Sequence, residues 1–64
     1  MKLHNVLNVI SGGTNIRISA NCKVIFSGQM SNVKIDDWTE IIGPYLDDEV
    51  YRINTVDGYI TIAV

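Results

Sequence analysis

The chain contains few of the residues from which small proteins build cross-links or metal sites. Among its 64 residues there is one cysteine, Cys22, one histidine, His4, and one proline, Pro44. A single cysteine excludes an internal disulfide, and one cysteine with one histidine excludes a Cys/His zinc cluster. A chain this short has a thin stability margin. We therefore expect one domain, residues 1–64, that depends on core packing or on self-association.

Charge and hydropathy exclude further classes of partner. The formal net charge is −2, which disfavours a nucleic-acid-binding protein because such proteins carry a basic patch. No apolar run approaches the ~18 residues of a membrane span. Polar residues interrupt the first apolar stretch, so we expect no signal peptide and a cytoplasmic protein. No cofactor and no metal are expected.

The clearest structural signal is Asp57-Gly58, which separates two runs rich in β-branched and aromatic residues. This dipeptide suits a type I′ hairpin turn, in which both central residues have positive φ. A two-residue turn pairs Val56 with Tyr59 and gives the hairpin two distinct faces. The expected core face carries Tyr51, Ile53, Thr55, Ile60, Ile62 and Val64, and the outer face carries Arg52, Asn54, Val56, Tyr59, Thr61 and Ala63.

A second hairpin is predicted over residues 14–28, where apolar and polar residues alternate. We expect the three-residue loop Ala20–Cys22 to close it. In that register Ile18 pairs with Val24, and Ile25 lies on the outer face.

Two short helices are also predicted. The first follows apolar residues at helical spacing and stops at a glycine pair. The second begins at Asp37, which forms a capping box with Glu40. Pro44 ends this second helix, or a kinked turn continues it through Leu46. The apolar positions are Leu3, Val6, Leu7 and Ile10 in the first helix, and Trp38, Ile41 and Ile42 in the second.

The predicted order of elements is therefore α-β-β-α-β-β. Two antiparallel hairpins joined edge to edge make a four-stranded antiparallel sheet, and both helices cover its apolar face. This arrangement is a two-layer α+β fold.

The same segments carry a family resemblance. The chain resembles small uncharacterised proteins of Gram-positive bacterial prophages and mobile elements in four segments: Val6–Ile10, Thr14–Ile18, Val24–Gly28 and Leu46–Val64. The resemblance lies in the pattern of apolar positions and turns. It implies an accessory, non-enzymatic role and transfers no functional residues.

Acidic residues form the most obvious charged groups. They form a patch for a partner, or they cap a helix and line a solvated loop; as consecutive residues their oxygens diverge, which disfavours a metal site. The residues of this acidic patch are Asp36, Asp37, Glu40, Asp47, Asp48 and Glu49. Trp38, beside them, is either a binding hot spot or the anchor of a small core. Cys22 and His4 lack a third group that would orient them as a nucleophile and base.

An apolar group on the outer face is the best candidate for an interaction surface. Ile25, Val56 and Tyr59 are expected there, with Arg52 and Arg17 at the rim, and clustered apolar residues suit a protein partner or a second copy. We therefore expect a non-enzymatic protein–protein interaction module that forms a homo-oligomer. The alternatives are a phage-type inhibitor that blocks a host defence protein or small ligand, and an enzyme with a site between subunits.

Overall fold

The computed structural model describes residues 1–64 and shows an α+β fold in which short helices pack on a four-stranded mixed sheet. Helix α1 spans Leu3–Leu7, and strands β1, β2, β3 and β4 span Asn15–Ala20, Lys23–Gln29, Arg52–Val56 and Tyr59–Ala63. Between β2 and β3 lie a 3-10 turn (Met30–Asn32), a π-helix (Asp37–Ile42) and a second 3-10 turn (Gly43–Tyr45). The predicted order of helical and strand elements is confirmed.

The strand order is β2-β1-β4-β3, and it corrects the prediction of a wholly antiparallel sheet. Each hairpin is antiparallel, but β1 and β4 run parallel at the centre. Parallel neighbours need a long crossover connection, and residues 21–58 supply it. Apolar and polar residues alternate most regularly in the two central strands. Their parallel pairing buries Ile16 and Ile18 beside Ile62.

The predicted register of the second hairpin is confirmed. Asp57 and Gly58 have φ values of 53° and 80°, as a type I′ turn requires. Val56 pairs with Tyr59, and Ile53 pairs with Ile62. Turn chemistry and alternation therefore agree on one register.

The register of the first hairpin differs from the prediction. Asn21 and Cys22, with φ values of 54° and 65°, form a two-residue turn in place of the three-residue loop. Val24 then pairs with Ser19 instead of Ile18, and a β-bulge follows. The bulge inserts Ile25 as an extra residue, which is half-buried and packs against the core. Ile25 therefore does not join the outer face.

We predict that Cys22→Gly stabilises the protein, because glycine adopts positive φ without the steric cost that a side chain carries. The expected gain is about 1 kcal/mol, or a rise in Tm of about 4–8 °C. Thermal unfolding followed by circular dichroism measures it. Cys22→Ser, which removes the thiol but keeps the strained φ, is the control and should give no gain; an equal gain in both variants contradicts the explanation.

The core is small and lies over the two central strands. Its fully or almost fully buried cluster comprises Leu3, Val6, Leu7, Ile16, Ile18, Ile42 and Ile62. Neither edge strand contributes to this cluster. Each buried aliphatic side chain stabilises the fold by about 1.5–3 kcal/mol. Helix α1 is too short to be stable alone, so the burial of its apolar side chains against the sheet is what stabilises it.

The second helical segment begins earlier than predicted. The amide of Lys34 donates to Asp37 Oδ2 at 3.1 Å, and the amide of Trp38 donates to the Lys34 carbonyl at 3.0 Å. Asp37 therefore lies inside the first turn, and the predicted cap formed by Asp37 with Glu40 is wrong. The Thr39 hydroxyl also bonds back to the Ile35 carbonyl at 3.2 Å, a contact that bends helices.

Gly43 ends the π-helix at a point where a side chain does not fit. A Cβ atom on Gly43 would lie 2.6 Å from the Trp38 carbonyl oxygen. The same lack of a Cβ lets Gly43 keep helical dihedrals before Pro44. The chain then continues as a 3-10 turn to Tyr45, which matches the alternative of a kinked extra turn.

We predict that Gly43→Ala lowers the free energy of unfolding by about 1–3 kcal/mol, because the new methyl group meets backbone atoms that cannot move independently. Urea denaturation measures the loss. Gly13→Ala is the matched control, since a Cβ there has nothing within 4 Å, and its effect should stay within about 0.5 kcal/mol. Equal effects at the two glycines contradict the steric explanation.

Candidate functional site

The outer face of the sheet, on the side away from the helices, is formed by alternate residues of all four strands. The strand registers place these residues on it: Arg17 and Ser19 of β1, Val24 and Ser27 of β2, Arg52, Asn54 and Val56 of β3, and Tyr59, Thr61 and Ala63 of β4. Of the predicted interaction residues, Arg52, Val56 and Tyr59 are brought together here. Val24 takes the exposed apolar position that was predicted for Ile25.

A cation–π contact organises the centre of the outer face. The guanidinium carbon of Arg17 lies 4.7 Å from the centroid of the Tyr59 ring. Contacts of this kind are worth about 0.5–1 kcal/mol at exposed sites. The contact joins β1 to β4 on the side that has no helix, and it covers part of the tyrosine ring with a charged group.

A hydroxyl without a hydrogen-bond partner lies on the same face. Thr61 Oγ1 is enclosed and makes no hydrogen bond. The neighbouring strands place Asn54 and Arg17 beside Thr61, but neither side chain reaches the hydroxyl. An enclosed polar atom of this kind destabilises the fold.

Strand β3 is exposed along its whole length. The core side of β3 carries Ile53, which is 49% exposed, and the outer side carries Val56, which is 43% exposed. Tyr51, which directly precedes β3, is 66% exposed. The expectation that Ile53 lies on the core face is confirmed by its pairing with Ile62, but no helix covers it. The same expectation for Tyr51 is not borne out by the strand pairing, which ends at Arg52. The alternation of apolar and polar residues predicts which face of a strand is apolar. It does not predict whether a helix packs on that face.

An open groove of about 300 Å³ lies at the start of β3. Its lining consists of Met1, Val50, Tyr51, Arg52 and Ile53. Arg52 is the only charged side chain in this lining, so the side chains of the groove form a largely apolar floor with one guanidinium group. No pattern in the sequence indicates this groove, because the groove depends on the docking of the first residues beside β3.

Backbone hydrogen bonds hold the first residues against the segment that precedes β3. The amide of Leu3 donates to the Asp48 carbonyl at 3.0 Å, and the amide of Val50 donates to the Met1 carbonyl at 2.8 Å. The Met1 ammonium group also donates to Glu49 Oε2 at 2.8 Å. This hydrogen bond, together with the positive charge of the ammonium group, lowers the pKa of the Glu49 carboxyl.

The predicted acidic patch divides into two structural groups. Asp37 accepts a backbone hydrogen bond, with Asp36 and Glu40 exposed on the neighbouring turns. Glu49 binds the first residue, and Asp47 Oδ1 lies 3.8 Å from His4 Nε2. Nowhere do three or more histidine, cysteine, aspartate or glutamate side chains come together as ligands for a metal ion.

The remaining single residues have simple surroundings. Trp38 is half-buried and packs against the core cluster, in agreement with the core interpretation, whereas Ile41 is 39% exposed. Cys22 is exposed in its turn, and no hydrogen bond joins it to His4. None of the helices has the length and hydrophobicity that a membrane crossing requires.

Comparison of the chain with protein-family models, with curated proteins and with solved structures gives no match.

We predict that Thr61→Val raises the free energy of unfolding by about 1 kcal/mol, because it replaces an enclosed hydroxyl that has no partner with a methyl group of similar size. Chemical denaturation at low protein concentration measures the change. Thr61→Ser keeps the hydroxyl and loses the methyl group, so it should be no more stable than the parent chain. A clear loss of stability in Thr61→Val would show instead that the hydroxyl has a partner.

Proposed function

We propose that the chain is a non-enzymatic protein–protein interaction module that associates with itself, and that it serves a mobile element as an accessory protein. The observation that carries the interaction role is the exposure of β3. Ile53 and Val56 leave apolar area uncovered on the two faces of one edge strand, and Tyr51, directly before this strand, is also exposed. Exposed apolar patches on small proteins mark interaction surfaces. The mobile-element assignment is supported only by the resemblance in apolar pattern.

The size of the core supports self-association. Only nine of the 64 residues are buried, and a core this small leaves little surplus over the entropy lost on folding. Association with a second chain buries further apolar area and stabilises the folded state by mass action. The exposed apolar residues of β3 are the available source of that area.

The non-enzymatic character is supported by the chemistry of the groove. Active sites combine a concave apolar pocket with several convergent polar groups. In the lining of the groove beside β3, Arg52 is the only charged side chain, and Tyr51 contributes a phenol hydroxyl. The lining contains no carboxylate, imidazole or thiol, which suits the docking of an apolar segment better than a reaction.

We predict that size-exclusion chromatography with light scattering shows a mass above the 7.1 kDa of one chain at high micromolar concentration. Val56→Ser should raise the dissociation constant several-fold, because it removes apolar area from β3. Val9→Ser is the matched control: Val9 is 83% exposed on the α1 side of the chain, and the same chemical change there should leave association unaltered.

A strict monomer at high micromolar concentration contradicts self-association. In that case, saturable binding of one host protein by the parent chain, lost in Val56→Ser and kept in Val9→Ser, identifies the alternative of a host-directed inhibitor. Equal behaviour of the two serine variants contradicts the assignment of the interaction to β3.

A further inference from the structure

We propose that the free edge of β3 pairs with β3 of a second copy, in antiparallel orientation about a two-fold axis at Asn54, to form a closed dimer with a continuous eight-stranded sheet. This inference rests on the proposed function and names its partner and its contact. Four features of the edge carry it: its free backbone groups, its pattern of charge, the groove beside it, and the contrast with the opposite edge.

The backbone groups of Ile53 and Thr55 are available for pairing. The Val64 amide donates to the Ser19 carbonyl of β1, and the Tyr51 amide donates to the Ala63 carbonyl of β4. Alternate residues of β4 therefore bond to opposite neighbours, and residues 59, 61 and 63 face β3. Their partners on β3 are residues 52, 54 and 56, which leaves the amides and carbonyls of Ile53 and Thr55 directed away from the sheet.

These free groups are complementary to themselves. A two-fold axis at Asn54 sets Ile53 of one copy opposite Thr55 of the other, twice, and each such pair exchanges two hydrogen bonds. A register centred on Ile53 is poorer, because it sets Thr55 opposite Tyr51, whose amide is already bonded to Ala63. The register at Asn54 also makes the two Ile53 side chains diagonal neighbours on the core side.

Charge and shape agree with this register. Arg52 begins β3 and Asp57 directly follows its last residue, and both are exposed. Antiparallel pairing therefore brings each arginine toward the aspartate of the second copy. The same register sets the Asp57-Gly58 turn of one copy opposite Tyr51 and Val50 of the other. Tyr51 and Val50 line the groove, so the turn of the second copy, with its aspartate, occupies a groove that has an apolar floor and the Arg52 guanidinium group.

The two edges of the sheet differ in their protection. Strand β2 begins with exposed Lys23 and carries the bulge at Ile25, and both features hinder pairing of edge strands. Residues 52–56 of β3 contain no lysine or proline, and their register with β4 is regular. Pairing through β3 leaves only the protected β2 edges exposed, so association stops at the dimer.

The test combines hydrogen exchange by NMR with light scattering on the full chain. The Ile53 and Thr55 amides should gain protection as concentration rises through the dimer range, whereas the Asn54 and Val56 amides, bonded to β4, are protected throughout. Thr55→Pro removes an outward donor in each copy without removing a bond to β4. We expect its dissociation constant to rise by about tenfold or more.

Thr55→Lys with Ser27→Lys serves as a second pair that does not depend on the fold tolerating proline. Both replace an exposed hydroxyl residue on an edge strand and add one positive charge, but only the β3 variant should weaken the dimer. A dimer in which the Ile53 and Thr55 amides stay unprotected, or in which protection appears at Val24 and Ser27, overturns edge pairing and leaves self-association standing. A chain that stays monomeric overturns both.

Discussion

The parallel contact between β1 and β4 is the interaction on which the other elements depend. It brings Ile16 and Ile18 beside Ile62 in one fully buried row. Helix α1 is too short to be stable alone, and it adds its three buried side chains to that row. Each hairpin attaches its outer strand through its own turn, so loss of the central contact would separate the chain into two halves, each without a core.

The helices cover only part of the sheet and leave β3 without a helix above it. The π-helix lies against β2, the edge strand opposite β3. Its only buried residue, Ile42, joins the three buried side chains of α1 in the core cluster. Strand β3 lies beyond them and keeps apolar residues on both faces in contact with water. The shortage of helix that makes the core small is therefore also what leaves β3 open to a partner.

Residue preferences over a few positions predicted several features of the fold, and the predictions that were wrong also have causes within a few residues. The register of the second hairpin followed because Asp57-Gly58 and the alternation of apolar residues agree. The first hairpin has no glycine in its turn, so the positive φ of Cys22 and the bulge at Ile25 left no sequence signal. The start of the second helical segment was misplaced because Asp37 suits both a cap and a first-turn position.

The sequence by itself determined the strands, which strands pair in each hairpin, the register of the second hairpin, and helix α1, since turn preference and residue period act over a few positions. Only the tertiary structure decided that β1 lies parallel to β4, that Ile53 stays uncovered, and that a groove forms beside Arg52. These features depend on how far short helices reach across a sheet and on the path of residues 21–58. Both are set by the packing of the whole chain and not by any one segment.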